Sequence, residues 1–324
     1  MTATTKPLVF SPFKLSPHGR WGGIGPIVEA TKLAEDLGFY SINMPEHIIL
    51  PQDPNGPPLP DVWYDNFVLA SNLAAVTTRI RFLLYVMIVP YHEPIVAAKQ
   101  LATLDQVSDG RMICGIGVGW LGGELEALGV PHEERGAITD EYLEAMVALW
   151  TQGNASYRGS RVNFANMSFN PKCVQTPHIP LWIGGTGPAA RRRSVALGDG
   201  WMPMSGALED LEREVDAIQG MLAEAGRDPA AFNFSSSLAV GEPDSYTPHA
   251  SASEHLAHRT ARSTSRNYPW ETEAVIDGVE EMREAGFNHI FVRLSWETPL
   301  DLMRGMEWFS SNVMPAFKTV AAPG

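Results

Sequence analysis

Hydrophobic positions along this chain fall into two alternating rhythms. Ile80 to Val89 is an almost unbroken apolar run, rich in β-branched and aromatic residues and too short for a membrane span. Such a run predicts a strand buried on both faces of a parallel sheet. After the bracketing prolines Pro90 and Pro94, apolar residues recur at helical spacing: Ile95, Val96, Ala98, Leu101, Leu104 and Val107. Asp109-Gly110 ends that helix, and Met112 to Val118 reads as a second buried strand. Strand, helix and strand form one βαβ unit with a right-handed crossover.

The same alternation runs through most of the chain. Further strands are predicted at Leu8 to Phe13, Tyr40 to Met44, Pro180 to Gly185, Gly200 to Met204, Phe232 to Val240 and His289 to Leu294. Helical text separates them: Ile27 to Leu37, Trp63 to Val76, Glu134 to Trp150, Pro188 onward, Leu208 to Ala225, Thr272 to Ala285 and Leu300 to Phe317. Three stretches break the rhythm. Leu50 to Pro60 is a long proline-rich loop, Ser156 to Lys172 suits a small hairpin off the main sheet, and Glu242 to Trp270 is polar and without period. Eight strands alternating with helices predict an α/β chain folded as a (β/α)8 TIM barrel with insertions. The chain is read as one barrel domain over 1–324, with 242–270 as an insertion or lid. An open doubly wound sheet is the alternative, disfavoured because no nucleotide fingerprint follows the first strand.

Composition narrows the function. With 44% hydrophobic and 19% charged residues the chain supports a large core. A net charge of −13 with only 24 Lys and Arg argues against nucleic acid or an anionic membrane as partner. The start MTATTKPLVF lacks the apolar stretch of a signal peptide, and two cysteines, Cys114 and Cys173, in so long a chain suggest a reducing, cytoplasmic setting. No His, Cys, Asp or Glu spacing resembles a metal site, and GxSxG is absent.

In a barrel of this kind chemistry sits at the C-terminal ends of the strands. That rule selects Glu46 and His47, then Pro90-Tyr91-His92-Glu93, then Gly117, Gly119 and Trp120, then Gly184 to Gly187, then Met204, Ser205 and Gly206, then Arg293 and Ser295. His47 suits proton exchange with a substrate oxygen, or is a hydrogen-bonded structural residue. Glu46 orients it or faces inward as a charge, and His92 reads equally as a turn residue. Gly184-Gly185-Thr186-Gly187, between a strand and a helix N-terminus, fits an anion or a tight turn, with Arg191 to Arg193 close behind. The alternating glycines Gly115, Gly117 and Gly119 bare one strand face, for a flat ring or for packing of small against large. Arg293 suits a phosphate or carboxylate, or a surface salt bridge. Asp109-Gly110-Arg111, on the opposite face, reads as a turn with an arginine ion pair.

Three segments also carry a family likeness: AEDLGFYSINMPEH, TTRIRFLLYVMIVPYHEPIVAAKQLATLDQVSDGRMICGIGVGW and LWIGGTGPAARRRSVALGDGW. In them the chain resembles the luciferase-like monooxygenase superfamily, within it the branch dependent on the deazaflavin coenzyme F-420, above all over Leu8 to Pro203. The resemblance implies a (β/α)8 barrel, often a homodimer, that binds a flavin or deazaflavin at the strand ends. It implies a non-prolyl cis peptide behind the ring at Tyr85-Val86, with Met87 beside it, and an acidic-His pair at Glu46-His47. It implies a phosphate turn at Gly184 to Thr186 and tail contacts at Met204 and Ser205. Trp120 stands where sugar-phosphate dehydrogenase members carry Glu, and Val118 where luciferase carries Arg, so neither activity is implied. The expected function is F-420-dependent hydride transfer with a small organic substrate, His47 positioning or protonating it. The alternatives are an FMN-dependent monooxygenase acting on an apolar substrate and a non-catalytic cofactor-binding protein; Trp120 suits an apolar substrate pocket with either cofactor.

Overall fold

The computed structural model describes residues 6–12, 18–52, 62–203, 206–241 and 267–317. The βαβ text is realised along the chain. β1 (Val9–Pro12), α1 (Ile24–Asp36), β2 (Ser41–Met44), α2 (Asn66–Ala74), β3 (Arg81–Ile88), α3 (Pro94–Val107) and β4 (Met112–Gly117) form the first half. α4 (Gly122–Ala127) and α5 (Arg135–Thr151) follow, then the antiparallel hairpin of β5 (Asn154–Arg158) and β6 (Asn163–Ser168). The second half holds β7 (Leu181–Gly184), α6 (Pro188–Leu197), β8 (Gly200–Met202), α7 (Leu208–Glu224), β9 (Asn233–Val240), β10 (Asn267–Tyr268), α8 (Thr272–Glu284), β11 (His289–Leu294) and α9 (Pro299–Asn312).

The strand path runs β1-β11-β9-β8-β7-β4-β3-β2, all parallel, with β10 added beside β9. Between the two end strands, Tyr40 N–H donates to the Phe10 carbonyl at 2.8 Å, and the eight strands of the path form a nearly closed barrel. Leu83, Tyr85, Ile113, Trp182, Met202 and Phe291 pack together inside it. Their chain neighbours, such as Phe82, Leu84, Cys114, Ile183 and Val292, join the larger core under the helices. Each strand is therefore buried on both faces, which is why its text is continuously apolar rather than alternating.

Local chemistry sets the helix starts. Asp65 caps α2 through Val68 N–H, Glu93 caps α3 through Val96 N–H with Pro94 in the first turn, and Thr298 and Asp301 form a capping box on α9. The Asp65 cap starts α2 three residues later than the apolar spacing suggests, which leaves Trp63 outside the helix. Other expectations need correction. The sixth predicted strand ends at Met202, a helix absent from the predicted elements, α4, follows Gly119, and the last residues of the predicted 242–270 insertion form β10. The remainder of that insertion, 242–266, and most of the Leu50 to Pro60 loop lie outside the described residues. Arg111 makes no ion pair among the described residues. Its guanidinium donates to the carbonyls of Ala74, Thr77, Ile80 and Ser108 and to the Thr77 hydroxyl, closing the end of α2.

Candidate active site

At the C-terminal ends of the strands two buried carboxylates organise the mouth of the barrel. Glu46, just past β2, accepts from Ile88 N–H at 2.6 Å and meets His92 Nε2 at 3.0 Å. It thus ties the end of β2 to the end of β3. This corrects the expectation that Glu46 orients His47, and it gives His92 a place beside Glu46 rather than in a free turn.

His47 takes a different acid. Its Nδ1 lies 2.8 Å from Oε2 of Glu124, which is 1% exposed at the start of α4. Glu124 also accepts from Ile48 N–H at 2.7 Å, Ile49 N–H at 3.2 Å and the Tyr91 hydroxyl at 3.0 Å. Burial raises the pKa of this carboxyl, but the hydrogen bond and charge of His47 and the two amides outweigh it, so Glu124 stays below its ordinary value and ionised. Burial and the charge of Glu124 push the Tyr91 hydroxyl up, so it remains a donor. The His47 ring stands edge to face with Trp63, centroids 4.7 Å apart, and with Trp120 at 6.3 Å. Among the described residues its Nε2 makes no hydrogen bond. A histidine held at one nitrogen by an ionised acid presents the other to a substrate.

Beside this pair β3 departs from regular pairing. The Tyr85–Val86 peptide is cis, and the register with β4 shifts between Leu84 and Met87. The glycines of β4 and β7 answer that bulge. A Cβ on Gly115 would come within 2.1 Å of the Leu84 carbonyl oxygen, and one on Gly117 within 2.4 Å of Val86 Cγ2. A Cβ on Gly184 would lie 2.8 Å from the Ile116 carbonyl oxygen and 3.2 Å from Val86 Cγ1. The bared strand face thus receives the β3 bulge, so Gly117 supports Val86 instead of meeting a ring through its own α-carbon face. Tyr85 points into the barrel against Phe291, at 4.8 Å, and burial pushes its hydroxyl up to about 12 against the opposing charge of Arg293. Met87 turns the other way. It is fully buried in the outer core, with Cys114 Sγ 3.8 Å from its sulfur, so it does not line the mouth.

The glycine turn after β7 is partly committed to the protein. Gly185 N–H donates to the Met202 carbonyl, and Trp201 Nε1 donates to the Gly185 carbonyl at 2.8 Å. Thr186 is exposed, and Gly187 caps α6 with φ 95° and open space where a side chain would stand. Of the arginines behind the turn, Arg191 pairs with Glu214 and Arg193 with Asp140, so Arg192 is the exposed one of the three. Arg293 is half-buried on β11, two residues beyond Phe291. Trp120 is 39% exposed at the rim. Met204 and Ser205 lie outside the described residues.

The cis peptide at Tyr85-Val86 stands where the sequence places it, whereas the sequence does not point to Glu124 beside His47 or to Trp63 against its ring. A buried glutamate in an acidic helix looks like any solvated charge in the text. The Asp65 cap was the available signal that Trp63 precedes the helix.

A family model described as luciferase-like monooxygenase matches residues 5–285. The uncharacterized protein Rv0953c of Mycobacterium tuberculosis is 39% identical over 218 residues, covering 64% of this chain and 76% of its own. The FMNH(2)-dependent dimethylsulfone monooxygenase of Pseudomonas putida is 31% identical over 169 residues, 51% of this chain and 46% of its own. Among solved structures, an F420-dependent secondary alcohol dehydrogenase in complex with an F420-acetone adduct superposes with a TM-score of 0.76 at 18% identity, covering 96% of this chain and 99% of that one.

Proposed function

Since the chain belongs to the luciferase-like monooxygenase family, we propose that it is an oxidoreductase using coenzyme F-420 to interconvert a small alcohol and its carbonyl compound. The observation that carries this reading is the His47–Glu124 pair at the mouth of the barrel. The residues present fit a deazaflavin. Val86, seated between Gly117 and Gly184, offers a smooth apolar support for a flat ring. Thr186 and the bare Gly187 at the start of α6 suit the phosphate of its tail. Trp63 and Trp120 shield the site from water on the His47 side.

When bound, the deazaflavin supplies a two-electron donor or acceptor of hydride. His47 Nε2 accepts the proton of a substrate hydroxyl as it becomes a carbonyl, and returns it in the reverse direction. Glu124 holds the ring in place through Nδ1, 2.8 Å from its carboxylate oxygen. Arg293, beyond Phe291 on β11, supplies positive charge for an anionic group.

A second reading keeps the barrel and uses FMN for monooxygenation. It is favoured by the likeness to the dimethylsulfone monooxygenase and by the exposed apolar rim of Ile48, Ile49 and Trp120. Tryptophan fluorescence titration of the apo-protein with oxidised F-420 and FMN separates the two. Tight F-420 binding followed by alcohol-dependent reduction of the cofactor supports the first reading. FMN binding with substrate-dependent oxygen uptake supports the second. Binding without turnover of either kind would make the protein a cofactor carrier and overturn both.

A further inference from the structure

At the N-terminal end of the barrel interior a chain of side chains crosses the seam between β11, β1 and β2. Its proton order can be deduced from one end. Asn43 Nδ2 donates to the Pro12 carbonyl at 3.0 Å, so Oδ1 is the acceptor facing Ser41, whose hydroxyl donates to it at 3.2 Å. That uses the single hydrogen of the Ser41 hydroxyl. Across the 2.7 Å contact with Ser11, the Ser11 hydroxyl therefore donates. Ser11 has no hydrogen left for His289 Nε2 at 2.8 Å, and must accept from it. His289 is thus the Nε2–H tautomer, with a lone pair on Nδ1. Burial, then the charge of Arg81, hold its pKa down to about 3, consistent with a neutral ring.

Three nitrogens in this layer are buried without a hydrogen-bond partner: Nδ1 of His289, Nε1 of Trp182 and Nε of Arg81. The Trp182 and His289 rings meet edge to face with centroids 4.9 Å apart. Tyr40 joins the third group to them, its ring 5.4 Å from His289 and 5.7 Å from the Arg81 guanidinium carbon. Two of the orphans are donors and one is an acceptor.

We propose that one buried water molecule binds here as a fixed part of the barrel floor, accepting from Arg81 Nε–H and Trp182 Nε1–H and donating to His289 Nδ1. Buried waters typically make about three hydrogen bonds to groups the protein leaves unpaired, and leaving such groups unpaired is costly. An anion would satisfy the two donors but would face the lone pair of a neutral imidazole. The proton order along Asn43, Ser41 and Ser11 therefore selects water over a halide. The water ends the polar chain that stitches the seam, and it lies at the opposite end of the barrel from His47.

The test is NMR on the full-length protein labelled with nitrogen-15. Long-range proton–nitrogen correlations read the His289 tautomer, and water-selective NOE spectra read contact of the Trp182 indole proton with a long-lived water. Trp182→Phe assigns the indole signal, and the wild-type spectra carry the result even if that variant does not fold. The expected result is an Nε2–H tautomer that persists well below neutral pH, with a water cross-peak on the Trp182 indole that added bromide leaves unchanged. An Nδ1–H tautomer, an indole proton without a water contact, or signals that follow bromide would each overturn the proposal.

Discussion

The two ends of this barrel each carry a hydrogen-bonded histidine in contrasting surroundings. At the mouth, His47 is 17% exposed and bonded to an ionised acid. At the floor, His289 is fully buried and bonded to a serine hydroxyl. At the mouth, the neighbour of His47 is the Glu124 carboxylate. Around His289, desolvation and the Arg81 cation refuse a proton. Residue type is the same. Solvent access and the neighbouring group differ between the two sites, and at the floor they leave the ring a neutral brace.

Substitutions can break this contrast from either end. The largest effect is expected from His47→Ala, which removes the proposed proton carrier and should lower kcat by ~10²–10⁴-fold. Fluorescence titration of the same variant should show cofactor affinity little changed, because the proposed ring support at Val86 and tail turn at Thr186-Gly187 are intact. Glu124→Gln sharpens the comparison by making the mouth resemble the floor. A hydrogen bond to a charged partner contributes ~1.5–3 kcal/mol, so turnover should fall by ~10–100-fold. The same variant has a pH signature. The folded-state pKa of Glu124 lies below its unfolded value, so its stabilisation is present above the ordinary carboxylate range and is lost as pH falls through the folded value. The difference in Tm between wild type and Glu124→Gln should be widest near neutrality and close in acid.

Gly117→Ala tests the ring support between these ends. Its Cβ would meet Val86 Cγ2 at 2.4 Å and Ile88 Cδ1 at 2.8 Å, an overpacking expected to cost ~1–3 kcal/mol in a urea titration. Adding Val86→Ala should recover part of the loss, and simple additivity would show that the glycine does not serve the bulge. The smallest effect at neutral pH belongs to the floor. His289→Gln keeps a donor for Ser11 and should cost about 1 kcal/mol. Its signature is in acid. The folded ring titrates near about 3 against an ordinary 6.5, so below that ordinary value the unfolded chain takes up a proton that the folded chain refuses. Wild type should lose stability through this window and the Gln variant should lose less, as read by Tm against pH.

How much of this was legible depended on distance along the chain. The strand from Arg81 to Ile88 and the helix from Pro94 to Val107 were written in local periodicity. The strand-end rule then drew His47 and His92 out of nine histidines without any structure. The partner of His47 was not legible, because Glu124 lies 77 residues further on and the adjacent Glu46 offered a nearer but wrong acid. His289 attracted no functional reading. It opens an apolar strand, and its serine partner lies 278 residues away. Met87 was misassigned because the shift in register at Val86 changes which residues of β3 face inward.

The sequence by itself determined a parallel barrel of about the right strands, the end of that barrel where chemistry belongs, and a histidine and a glycine turn placed there. Those features follow from burial and periodicity, which neighbours along the chain already express. Only the tertiary structure decided which acid meets which histidine, which glycines make room for Val86, and which histidine is neutral. These depend on strand register, on one bulge and on the closing of the seam, where groups far apart in sequence come within hydrogen-bond distance.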